Sequence, residues 1–223
     1  MRKKIAVLFT LISLCGFPFG LGADDIETGQ AINRVPLTGR DKLARLLSKA
    51  DVRLEDKARA IERLAELTKD LPANRNVEPK ELYNPILGVL SGNRGHKVLR
   101  KVACQSLVAF ARLKGSDKLV EPLGKIVGNS GDFYEVRRAA AVTLGRFANN
   151  TGSATDQLVR ALDAELKRGP RGDNVTFTKI VIDSIGRLQN KRSFVPLMRV
   201  IQSDFPTATK RAAQRALENI RWE

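Results

Sequence analysis

Side chains suited to acid–base or nucleophilic chemistry are scarce in this sequence. Its 223 residues include one histidine, His96, and two cysteines. A hydrolytic triad would have to bring His96 to a distant serine, and a zinc site of the usual kind needs several His or Cys ligands at short spacing. The segment GNRGH that ends at His96 is too short for a phosphate-binding loop and follows no predicted strand. We therefore expect no enzymatic activity, no cofactor and no metal.

Basic side chains are the more informative group. The chain has 39 Lys and Arg residues against 24 Asp and Glu, a net charge of +15. Four bases occupy equivalent positions in a helical pattern that recurs along the chain. We expect them to face solvent, where they could contact an acidic ligand. The alternative is a solvated face without a partner. The predicted partner-binding residues are Lys101, Arg138, Lys179 and Arg211, helped by Arg146 and Arg215.

The elements that position these bases follow a repeat. A small residue followed four positions later by a larger aliphatic one recurs every 32 to 43 residues, a helical spacing within a repeat-length period. A proline marks the preceding helix in three repeats, at Pro85, Pro122 and Pro196. The pattern predicts an all-α fold of five helix pairs. The anchor pairs are Ala60/Leu64, Ala103/Leu107, Ala140/Leu144, Val181/Ile185 and Ala213/Leu217.

The repeat resembles the HEAT repeat, including the short bacterial kind first noted in phycobilisome lyases. Val136, Arg137, Ala140 and Leu144 match the V-R-x-x-A-x-x-x-L helix of that family. The resemblance covers roughly residues 40–223 and implies an α-α superhelix, a HEAT-like solenoid, whose second helices line the concave side. It indicates a fold more than a function, because such scaffolds carry many unrelated activities.

The resemblance also implies that the first base of each neighbouring pair is structural. HEAT families use this base and an Asp as a ladder that bridges adjacent repeats. The base is Arg137, Arg100, Lys57 or Lys210, and Thr178 replaces it in the fourth pair. The matching polar residues are Asp132, Asn93, Asp51, Asp204 and Asp173.

The N-terminal residues are predicted to be a signal peptide. Arg2, Lys3 and Lys4 precede an apolar run that ends in small residues, so residues 1–23 are read as a secretory signal and 24–39 as an extended lead-in. An uncleaved membrane anchor and a lipoprotein at Cys15 remain alternatives. Cleavage removes three bases and no acids, leaving a net charge of +12. The localisation expected is periplasmic or otherwise in the cell envelope.

Two further features are a cysteine in the predicted core and a tripeptide that matches an adhesion signal. Cys104 lies beside the anchor Ala103 and is expected to be a buried, inert thiol. The tripeptide Arg171–Asp173 matches the RGD adhesion signal, although Asp173 is also expected to join the ladder. It lies in the segment 167–174, predicted to be the longest loop between helices.

These observations favour an exported, non-enzymatic scaffold that binds an acidic protein, with an anionic envelope lipid or polymer as another possible partner. The alternative is an enzyme or nucleic-acid binder resembling the HEAT-like alkylation-repair DNA glycosylases. Such proteins stack bases on aromatic side chains, and here the aromatics are few and scattered: Trp222 is the only tryptophan. Nucleic acid is therefore not the expected partner.

Overall fold

The computed structural model describes residues 39–73, 77–91 and 95–222. The predicted signal peptide and nearly all of the lead-in lie outside these residues. The described residues form ten α-helices, which confirms the all-α prediction and its five pairs. In chain order the helices are α1 Arg40–Ser48, α2 Leu54–Glu66, α3 Pro79–Leu90, α4 Lys97–Ser106, α5 Asp117–Gly128, α6 Tyr134–Leu144, α7 Thr151–Arg168, α8 Asp173–Leu188, α9 Phe194–Gln202 and α10 Thr207–Glu218.

The order of packing along the chain is regular. Each odd-numbered helix packs against the even-numbered helix that follows it, and the even-numbered helices pack on one another in the succession α2, α4, α6, α8 and α10. Short 3₁₀ segments follow the helices α2, α4, α6 and α8. One apolar core runs from Leu43 to Ile220. Equivalent residues of successive even-numbered helices therefore lie on helices that contact each other directly.

Helix α6 shows how the repeat pattern produces this packing. Val136, Ala140 and Leu144 recur every four residues and are fully buried, as expected for one face of a helix in the core. At the end of α6, a Cβ added to Gly145 would lie 2.9 Å from the Cβ of Ser184. The absence of a side chain at Gly145 therefore allows α6 and α8 to approach closely.

The same contact recurs one pair later. Gly186, which follows Ile185 as Gly145 follows Leu144, would place an added Cβ 3.1 Å from the Cβ of Ala216. Small residues at equivalent positions thus set the spacing of three successive even-numbered helices.

The prediction of a long loop at 167–174 is wrong. Helix α7 continues to Arg168 and α8 begins at Asp173, so only four residues connect them. Basic residues in the last turn of α7 and an acidic residue in the first turn of α8 both favour helix, since each interacts well with the local helix dipole. Gly169 and Gly172 take positive φ values of 72° and 44°, which glycine adopts without steric cost, and the chain can therefore reverse within this short connection.

Candidate interaction surface

Adjacent basic residues have opposite environments in this fold. Arg100 and Arg137 are buried, with exposed fractions of 1% and 8%, whereas the next residues, Lys101 and Arg138, are exposed. Successive side chains on an α-helix point about 100° apart, so one member of each pair turns inward and the other turns to solvent. We call Arg100 and Arg137 the buried arginine column.

Arg100 joins the second helix pair to the third. Its Nη1 and Nη2 donate to the two carboxylate oxygens of Asp132, at 2.5 and 2.6 Å. Both side chains are almost completely buried. Asp132 Oδ1 also accepts a hydrogen bond from the backbone N–H of Phe133. A bidentate contact of this kind has strong directional specificity, and it fixes α4 against the start of α6.

Arg137 joins the third pair to the fourth in a different way. Its Nη2 donates to Glu165 Oε1 at 2.6 Å, and its Nε donates to the carbonyl oxygen of Val127. The guanidinium carbon lies 4.0 Å from the centre of the Phe177 ring, a cation–π geometry. Arg168 also contacts Glu165. The acceptor for Arg137 is therefore on helix α7, and not in the connection that follows it.

This arrangement corrects several predicted ladder partners. Asp173, expected to join the ladder, is exposed at the first residue of α8, because Glu165 reaches Arg137 from the preceding helix. Thr178 instead donates to Asn174 Oδ1. Within the described residues, Lys57 and Lys210 form no ion pair with Asp51 or Asp204, and these two carboxylates are exposed. Asn93 lies outside the described residues.

The predicted partner-binding bases lie on the even-numbered helices. Lys101, Arg138 and Arg211 are exposed, and no ion pair involves them within the described part of the chain. Lys179 differs because its Nζ lies 3.2 Å from Asp183 Oδ2, and its side chain is 45% exposed. The charge of Lys179 is therefore partly compensated.

Arg146 and Arg215, the two predicted helpers, are also exposed, and a further base, Arg187, was missed. Arg187 is exposed and lies two positions after the anchor Ile185, as Arg146 lies two positions after Leu144. This equivalence was a signal that could have identified it. A cleft of about 510 Å³ between α8 and α10 is lined by both Arg187 and Arg215, with Asp183 as its acidic residue.

Of the residues with catalytic potential, Cys104 lies in the core and His96 lies at the N-terminus of helix α4. Burial raises the pKa of the Cys104 thiol to about 12, and the side chain is fully buried, so it is protonated and inaccessible at neutral pH. His96 caps helix α4, its Nδ1 accepting a hydrogen bond from the N–H of Val98 at 3.3 Å. In the part of the chain that the structure describes, no three His, Cys, Asp or Glu side chains converge in a way that could hold a metal.

A comparison with protein-family models and with curated proteins found no match to this sequence. No helix within the described ranges has the length and apolar character needed to cross a membrane.

Proposed function

We propose that this protein is an exported HEAT-like α-solenoid scaffold that binds an acidic protein partner and has no catalytic activity. The binding surface is a set of seven bases that lie on the even-numbered helices or directly after them, which we call the basic face. Its members are Lys101, Arg138, Arg146, Lys179, Arg187, Arg211 and Arg215.

The regular packing supports a solenoid. The even-numbered helices contact one another in succession, and equivalent small residues set the spacing from α6 to α8 and from α8 to α10. Buried ion pairs connect the second pair to the third and the third to the fourth. A stack in which each repeat contacts its neighbours gives an extended surface suited to binding another macromolecule.

The charge pattern of the basic face is the observation that carries the proposal. Lys179 and Arg187 are eight residues apart on α8, and Arg211 and Arg215 are four apart on α10. Arg146 lies eight residues after Arg138, in the turn that follows α6. Spacings of four and eight residues place side chains on one side of a helix. Asp183 is the acidic residue that lies between two of these bases, at the middle of the α8 series. Each exposed charge contributes little alone, but together they create a field that attracts and orients an acidic partner.

The decisive test reverses two unpaired bases, Arg138→Glu with Arg211→Glu. The partner is captured by crosslinking from intact cell envelopes, and binding of polyglutamate is measured in parallel as a defined acidic probe. We expect both to weaken by about tenfold at low salt. Wild-type binding should also fall between low and physiological salt, where the screening length shortens to about 8 Å.

A matched control reverses Lys42 and Lys49, two exposed bases near the start of the described residues. It makes the same change in net charge away from the basic face and should leave capture unchanged. Equal losses in the two variants would mean that net charge alone drives binding. Full capture by the Arg138→Glu/Arg211→Glu variant would show that the basic face is only a solvated surface.

The proposed export of the protein can be tested separately from partner binding. Intact mass of the protein from its native host should place the mature N-terminus near Asp24. Retention of residues 1–22, or a lipid on Cys15, would contradict cleavage of a signal peptide.

A further inference from the structure

A second basic region lies at the C-terminal end of helix α8 and shares only Arg187 with the basic face. A cleft of about 600 Å³ is lined there by Arg187, Lys191, Arg192 and Arg221. Of these, Arg192 is paired, with Nη1 2.8 Å from Asp156 Oδ2. None of the described residues that line the cleft is acidic, so it carries an excess of positive charge.

The backbone gives this cleft a defined shape. Gln189 ends α8 in the left-handed conformation, with φ of 55°, and its carbonyl oxygen accepts a hydrogen bond from the N–H of Arg221 at 2.9 Å. The segment after α10 is thereby held against the connection between α8 and α9. Thr151 and Gly152, at the first turn of the 18-residue helix α7, form part of the same lining. The local helix dipole adds to the attraction for an anion.

An exposed apolar group adjoins the cleft. The rings of Phe194 and Trp222 meet edge to face, with centroids 5.4 Å apart, and their exposed fractions are 39% and 64%; neighbouring Val195 is 55% exposed. Phe194 follows Arg192 by two residues, and Trp222 directly follows Arg221. The pairing of Asn190 with Arg221 brings the two chain segments together. We call Phe194, Val195 and Trp222, with the four bases of the cleft, the C-terminal corner.

We propose that the C-terminal corner docks the protein on an anionic phospholipid membrane surface, with lipid phosphates in the cleft and the aromatic pair in the interfacial layer. Such a surface offers phosphates and an apolar layer side by side. Basic residues near an anionic membrane are attracted to it, and tryptophan favours the boundary between headgroups and hydrocarbon. A free phosphate ion would engage the cleft but leave the exposed aromatic pair without a role. This site shares Arg187 with the basic face, but its other bases and its aromatic pair lie outside that face, and it does not depend on the proposed protein partner.

The chain contains a direct reporter for this proposal, because Trp222 is its only tryptophan. The full chain is mixed with vesicles of phosphatidylglycerol and, separately, of phosphatidylcholine. We expect the Trp222 emission to shift to shorter wavelength and to be protected from acrylamide quenching only with phosphatidylglycerol. Binding through any other part of the chain would leave this emission unchanged.

Two variants test the two parts of the corner. Lys191→Glu with Arg221→Glu should weaken the binding of phosphatidylglycerol vesicles by more than about tenfold, because each base near such a surface adds to the attraction and each introduced carboxylate opposes it. Phe194→Ser should reduce both the affinity and the emission shift. Lys42→Glu with Lys49→Glu, the same change in charge at the far end of the described chain, should behave as wild type.

Several outcomes would overturn membrane docking. They are an equal emission shift with phosphatidylcholine, an unchanged shift in the Lys191→Glu/Arg221→Glu variant, or no shift with either vesicle. The same shift with inorganic phosphate alone would identify a free-phosphate site, and the same shift with polyglutamate would identify a surface for acidic protein. Reversal of Arg138 and Arg211 should leave vesicle binding intact, so failure of the basic face and failure of the corner are distinguishable.

Discussion

The buried arginine column and the basic face use neighbouring residues for different purposes. Arg137 is held by Glu165, the Val127 carbonyl and the Phe177 ring, while Arg138, one residue later, is exposed. A buried charge is tolerated only when it is paired, and removing its partner is costly. An exposed charge contributes little to folding and stays available for binding. Basic residues in this chain are therefore informative about binding only after their burial is known.

The largest effect is expected at Asp132. Asp132→Ala leaves the buried guanidinium of Arg100 without its two acceptors, which should reduce the free energy of unfolding by about 3–5 kcal/mol. Urea denaturation at neutral pH measures this change. The matched control is Asp173→Ala, which removes the corresponding but exposed carboxylate of the next pair. It should lower stability by no more than about 1 kcal/mol, the contribution of an acidic residue in the first turn of a helix. Similar values for the two variants would contradict the assignment of Arg100 and Asp132 to a structural role.

A smaller effect is expected where helix spacing, and not charge, is changed. Gly145→Ala places a methyl group 2.9 Å from Ser184 Cβ and 3.0 Å from the Ser184 carbonyl oxygen. We expect a loss of about 1–3 kcal/mol from overpacking between α6 and α8, measured by thermal or urea unfolding. Gly88→Ala is the control, since an added Cβ there meets nothing within 4 Å. Alanine at that helical position should stabilise by about 0.5–1 kcal/mol, and a loss there would show that the glycine effect is not one of packing.

The pH dependence of stability should reveal the burial of Cys104, which lies close in sequence to Arg100 of the buried arginine column. The pKa of Cys104 is raised from 9.0 to about 12, chiefly by burial, so the folded state keeps the thiol protonated over a range in which the unfolded state loses the proton. The contribution of Cys104 to stability is fully present below about pH 9 and declines as pH rises towards 12, by at most about 1.4 kcal/mol per unit.

Other groups titrate in this range, so the useful quantity is the difference between wild type and Cys104→Ala. That difference in the free energy of unfolding should shift against wild type between about pH 8 and about pH 10. A difference that is constant with pH would mean that the thiol titrates alike in both states.

The smallest effect is expected on the basic face. Arg138→Ala should change the free energy of unfolding by less than about 0.5 kcal/mol, because the side chain is exposed and forms no ion pair within the described residues. Chemical denaturation in low and in high salt measures it. A loss comparable to that of Asp132→Ala would place Arg138 in the structural framework and remove the distinction between the two regions.

Much of the fold could be predicted from local pattern. The four-residue spacing of Ala140 and Leu144, repeated along the chain, indicated the helix pairs and their buried faces. The inward position of Arg137 and the outward position of Arg138 follow from the 100° turn between successive residues. The length of the connection at 169–172 was misjudged because basic residues at the end of α7 and two glycines were read as a loop, although the bases extend the helix and the glycines permit a tight turn.

The sequence by itself determined the elements, their number and which side chains each helix turns inward, since these properties depend on residues only a few positions apart. Tertiary structure decided that Glu165, and not Asp173, accepts from Arg137, and that Arg187 and Arg215 line one cleft. It also brought Trp222 against Phe194, beside the bases of a second cleft. These contacts join residues 28 or more positions apart, and they depend on how far one helix reaches along its neighbour. Spacing along the chain carries no measure of that distance, because it is set by the side chains that separate the packed helices.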